Sequence, residues 1–141
     1  MKTNEKLLGS IYGAALGDAM GALTETRSAE MIKEDFGGFV ETLFLPPEDC
    51  FAHGMPLGTV TDDFSLAYFT GVELVKSAGV VDEKAARNAV LEWAKHPEFF
   101  RFAGPTTQAA VLEMEGGESV NAKAYLACDN SKATNGAGMK I

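Results

Sequence analysis

The sequence predicts an all-α protein, and three observations carry that prediction. Apolar residues recur at three- and four-residue spacing in several stretches, helix start and stop residues bracket those stretches, and the alternation expected of strands is nearly absent. The chain has 141 residues, 46% hydrophobic and 23% charged, which suffices for one domain, residues 1–141, with a sizeable core.

The first element is the apolar stretch "LLGSIYGAALGDAMGAL", residues 7 to 23. It is short for a membrane span, contains Asp18, and continues into "TETRSAE" rather than a small-residue cleavage site, so it reads as a buried helix of a soluble protein. Gly9, Gly13, Gly17 and Gly21 follow one another at four-residue spacing. Glycine costs a helix about 1 kcal/mol relative to alanine, so such a row marks either tight helix–helix packing or a face open to a ligand. Asp18, inside this apolar stretch, requires a partner, and a buried hydrogen bond is the expected one.

Residues 35–60 hold Pro46, Pro47, Pro56 and several glycines without helical periodicity. They predict a long irregular loop, with "FVETLF" as its one strand candidate. From Phe64, the residues Ala67, Tyr68, Gly71, Val72 and Val75 continue a helical stripe, and further apolar residues make this helix a central one. Asp82 caps the next helix, whose stripe is Ala86, Ala89, Val90 and Trp93 and which Pro97 stops. Pro105 opens a helix that Gly116-Gly117 closes, and "ESVNAKAYLACDN" forms a weaker last one.

Charge and cysteine content narrow the function. With 12 basic against 20 acidic residues and a formal net charge of -8, the chain lacks the basic patch that draws a nucleic acid, and no segment calls for a membrane. Cys50 and Cys128 are too few for a disulfide framework and form no zinc pattern with His53 or His96, which fits a cytoplasmic protein.

The chemistry concentrates at "GTVTDDFS", where Thr61, Asp62 and Asp63 meet the start of a helix. In one reading Thr61 is the N-cap and the two aspartates complement the positive helix end, worth roughly 0.3–1 kcal/mol each. In the other, these oxygens hold a hard divalent cation, which offsets the desolvation and mutual repulsion of two adjacent carboxylates. Consecutive helical residues point about 100° apart, so the pair can serve neighbouring positions or flank one. Both readings stand on the residues alone. Glu25, directly after the glycine-rich helix, is either solvated surface or a carboxylate entering a cleft.

Four segments in order, "GSIYGAALGDAMGALTE", "GTVTDDFS", "GPTT" and "TNGAGMK", resemble the ADP-ribosylglycohydrolase family, of the type of the dinitrogenase reductase activating glycohydrolases, from about residue 7 to residue 141. The resemblance implies a multi-helix all-α bundle that removes ADP-ribose from a modified side chain or related acceptor with a centre of two Mg²⁺ or Mn²⁺ ions. It assigns Thr61, Asp62 and Asp63 as metal ligands and Glu25 as the acidic catalytic residue. It also places Gly104, Pro105 and Thr106, with Asn135, Gly136 and Met139, along the ADP-ribose cleft.

Three departures qualify this resemblance. Phe64 stands where the Thr-Asp-Asp-Thr pattern has its last threonine, and Lys140 stands where arginine is common, keeping the charge without the planar fork. Family members are much longer and carry a later Asp-x-Asp-Thr motif, which this sequence lacks. Three oxygens from Thr61, Asp62 and Asp63 against the about six of an octahedral ion leave the centre, and the bundle, incomplete. The expectation is a truncated chain, a split gene product or a degenerate relative. The rival readings are an inactive ADP-ribose-binding or structural relative, and a subunit whose site is completed by self-association or by a complementing chain.

Overall fold

The structure, a computed structural model, describes residues 3–116, and these are helical with no strand among them. Six helices follow one another: α1 (Thr3–Gly21), α2 (Ala29–Phe36), α3 (Asp62–Lys76), α4 (Glu83–Ala94), α5 (Pro97–Phe100) and α6 (Pro105–Glu115). The all-α expectation holds, while the "FVETLF" segment is irregular rather than a strand. The chain packs as two compact units, one running to Phe64 and the other starting at Ser65. No described helix is long and apolar enough to cross a membrane.

In the first unit, α1 departs from the buried helix its composition predicts. Only Ala19 is buried along its length, and Leu7, Leu8, Ile11, Tyr12 and Leu16 are all exposed. A Cβ added at Gly9, Gly13, Gly17 or Gly21 meets nothing within 4 Å, so among the described residues the glycine row carries no tight packing. Burial begins where α1 ends, at Ala19, Ala22 and Leu23. Apolar composition makes a face worth covering but does not supply the cover.

Helix α2 lies in a stretch to which the sequence reading assigned no element, and its last two residues fall within the expected loop of residues 35–60. Ser28 caps it, its side chain accepting from the Met31 N–H, and Gly37 closes it in the left-handed region at φ 79° with its N–H on the Lys33 carbonyl. The segment that follows is irregular but anchored. Arg27, its side chain only 5% exposed, pairs with Asp35 and Asp49 and lies 5.9 Å from the centroid of the Phe36 ring. The Phe36 and Phe44 rings stand 5.3 Å apart, and the Cys50 thiol donates to the Ala22 carbonyl at 3.5 Å. The later part of the segment runs through turns, with the His53 N–H on the Cys50 carbonyl at 2.9 Å and the Met55 N–H on the Ala52 carbonyl at 3.0 Å.

In the second unit the core is built around Trp93, which is fully buried with Ala85, Ala89 and Val111. Asp82 caps α4 as its sequence position predicts, accepting from the Ala85 N–H at 2.8 Å. The buried line of α4 is Ala85, Ala89 and Trp93: Ala89 and Trp93 are buried as the stripe predicts and Val90 is half-buried, while Ala85 takes the inner place expected of Ala86, which is exposed. The α3 stripe is likewise displaced. Tyr68 and Val75 are exposed, and the most enclosed residue is Ser65, whose Oγ accepts the Trp93 indole N–H at 2.8 Å. A hydrophobic stripe predicts an inner face to within one residue, and the partner decides the final rotation. Pro97 ends one helix and starts another: the Lys95 and His96 amides close α4, and Pro97 takes the first position of α5. Pro105 does the same for α6, capped by Gly104, and Gly116 ends it. Helix α4 packs on both α5 and α6. The weaker helix expected at "ESVNAKAYLACDN" lies outside the described residues.

Candidate functional site

The local order that builds the site starts at the N-terminus of α3. The first N–H groups of α3 have no partner within the helix, so acceptors must come from elsewhere. Thr61 supplies one weakly, its Oγ1 accepting from the Asp63 N–H at 3.5 Å. The stronger acceptor is Asp18, near the end of α1. Its Oδ2 accepts from the Thr61 N–H at 2.7 Å and the Phe64 N–H at 3.2 Å, and its Oδ1 from the Thr61 hydroxyl at 2.6 Å. A carboxylate at a helix N-terminus is favoured both by these bonds and by the helix dipole. The partner Asp18 requires is therefore the first turn of α3, and Thr61 is buried by the pairing.

Asp62 and Asp63 open α3, half-buried, and Glu25 lies exposed in the turn after α1. Partial burial, and after it the charges of Asp62, Asp63 and Asp18, push the Glu25 carboxyl above the ordinary glutamate range. Four carboxylates thus act on one region of the first unit. Next to Glu25, Thr26 holds a left-handed backbone at φ 65°, a conformation that β-branched residues avoid.

These groups fit a hard cation in kind, since all are oxygen donors. Thr61, Asp62 and Asp63 would supply at most three of the about six oxygens that an octahedral ion takes. Among the described residues, no three His, Cys, Asp or Glu side chains are gathered tightly enough to hold a metal by themselves. The remaining positions of such an ion would fall to water, to Glu25 or to other segments.

Asp62 and Asp63 act electrostatically on Glu25, and so does Asp18, which sequence reading left as a buried hydrogen-bonded group and which accepts the Thr61 hydroxyl. Gly104, Pro105 and Thr106 form the start of α6 in the second unit. Asn135, Gly136 and Met139, with Lys140, lie outside the described residues. The His96 ring lies 4.8 Å from that of Phe69, tilted by 44°.

Residues 1–141, the whole chain, match the family model described as ADP-ribosylglycohydrolase. The chain belongs to the ADP-ribosylglycohydrolase family. It is also similar to a protein of Escherichia coli strain K12 described as "Uncharacterized protein YegU", with 33% identity over 143 residues that take in all of this chain and 41% of the relative. The chain therefore spans about two fifths of the length of that curated relative. No solved structure matches it. Within this family frame, the departure at Phe64 has a simple structural reading. Position 64 serves Asp18 through its backbone N–H, a bond indifferent to the side chain, so phenylalanine in place of threonine leaves the clamp on α3 intact.

Proposed function

We propose that the chain carries the acidic half of a metal-dependent hydrolase site of the ADP-ribosylglycohydrolase type, acting on the glycosidic bond of an ADP-ribosylated side chain or related acceptor. The observation that supports this most is the gathering of Glu25, Asp62, Asp63 and Asp18 around the first turn of α3, in a chain that belongs to this family. Thr61, Asp62 and Asp63 hold Mg²⁺ or Mn²⁺, two ions in a complete site. When bound, such ions orient ribose hydroxyls and lower the pKa of a water.

The chain's own residues supply the rest. Glu25, with its carboxyl pushed up by burial and by three neighbouring carboxylates, takes the proton of the water that attacks the anomeric carbon. The glycosidic bond to the acceptor breaks in the same reaction, and the departing acceptor takes up a proton, from Glu25 or from solvent. The Gly104 to Thr106 segment, with Asn135, Gly136 and Met139, binds ADP-ribose. Gly104 and Pro105 begin α6, where backbone N–H groups and the helix dipole suit a phosphate.

Calorimetric titration of the chain with Mn²⁺, with and without ADP-ribose, tests the reading. Saturable binding that tightens with ADP-ribose supports it. Asp62→Ala and Asp63→Ala should each abolish the Mn²⁺-induced rise in melting temperature; an undiminished rise in both removes the metal assignment. ADP-ribose binding that ignores Mn²⁺ would instead assign the chain as a non-catalytic binding relative.

A further inference from the structure

A carboxylate inside an apolar helix is costly unless both oxygens are matched, and both oxygens of Asp18 are matched by the same short stretch, Thr61 to Phe64. An ionised carboxylate only accepts, so the 2.6 Å contact fixes the Thr61 hydroxyl as donor toward Asp18. A hydroxyl has one proton. With that proton directed at Asp18, Thr61 Oγ1 meets any other group through its lone pairs, as its weak acceptance of the Asp63 N–H illustrates. A cation ligand must have this polarity. A threonine whose proton rotated outward would present the wrong end to a positive charge.

We propose that Asp18 is a positioning residue: it sets the donor direction of the Thr61 hydroxyl and seats the first turn of α3, so that Thr61, Asp62 and Asp63 are oriented together toward a divalent cation. This inference rests on the metal reading above and deepens it. Asp18 acts through Thr61 and the α3 backbone. Partners that orient metal ligands typically govern about 10–100-fold in metal affinity.

Asp18→Asn separates positioning from capping. The amide oxygen can still accept from the Thr61 and Phe64 N–H groups, but the NH₂ then faces Thr61 Oγ1 and donates to it, which turns the hydroxyl proton outward. Expected in the metal-free chain are a melting temperature close to that of the unsubstituted protein and retained protection of the Thr61 and Phe64 amide protons in NMR hydrogen exchange. Mn²⁺ affinity should nonetheless fall by about 10–100-fold. Because the substitution also removes a negative charge, it is paired with Thr61→Val. If Asp18 acts through Thr61, the double variant binds Mn²⁺ no more weakly than Thr61→Val alone.

Equal losses from Asp18→Asn in the two backgrounds would mean that only its charge matters and would overturn the proposal, as would unchanged affinity in Asp18→Asn. Should Asp18→Asn fail to fold, Thr61→Ser and Thr61→Val decide: a clear loss in the valine variant with much weaker loss in the serine variant supports the oriented hydroxyl, and equal binding by both overturns it. If the unsubstituted chain binds no Mn²⁺, the metal reading fails first and this proposal falls with it.

Discussion

Trp93 is fully enclosed, and its indole N–H donates to Ser65 Oγ at 2.8 Å, so one buried bond links the start of the second unit to its core. Ser65→Ala removes that acceptor without creating a large cavity. A buried donor left without its partner costs about 1–3 kcal/mol, and urea unfolding followed by the fluorescence of this single tryptophan should show a midpoint shift of that size. Glu25 poses the opposite problem, a carboxylate among like charges. Its carboxyl is raised in the folded chain, so folding favours the protonated form. The associated stability is fully present below the ordinary glutamate pKa and is lost as pH rises through the raised value. Glu25→Gln mimics the protonated state, so the metal-free variant should melt higher than the unsubstituted chain near neutral pH and level with it in acid. The margin is small because solvent screens an exposed group. Thermal melts across the pH range that show an advantage only in acid would contradict the assigned like-charge repulsion.

At the scale of single helices, the ends matter more than the middles. Asp82 accepts the Ala85 N–H at the start of α4, and Asp82→Ala should cost about 1 kcal/mol in chemical denaturation. The end of α3 carries a compensating flaw. Ala78 adopts φ 55°, followed by Gly79 at φ 84°, whose N–H reaches the Leu74 carbonyl at 2.8 Å. A side chain in the left-handed region costs roughly 1–2 kcal/mol, part of which returns as the extra freedom of glycine in the unfolded chain. Ala78→Gly should therefore stabilise the protein slightly, by up to about 1 kcal/mol, and a lower denaturation midpoint would count against the φ assigned here. Helix α2 shows how far such end signals can be read. Ser28 and Gly37 bracket it in the sequence, and with only eight residues between them, too few for a repeated stripe, these start and stop residues are the signal that marks it.

Over the whole molecule, the excess of acid over base makes polyanions poor partners. With 20 acidic against 12 basic residues, no retardation of duplex or single-stranded nucleic acid is expected in an electrophoretic assay at physiological salt, and saturable retardation would refute that expectation. The sequence by itself determined the helical class, the cap at Asp82, the helix start at Pro105, and the Thr61-Asp62-Asp63 segment that carries the family likeness, because each depends on residues within a turn or two of one another. Tertiary structure decided the rest. It chose Ala85 over Ala86 as the inner residue of α4 and left Leu7, Leu8 and Tyr12 of α1 in the open, since an apolar stripe states what gains from burial and not what will cover it. It also joined Asp18 to Thr61 across 43 residues. Spacing shows that a buried carboxylate needs donors, but only the folded chain, by bringing the end of one helix to the open start of another, determines which donors those are.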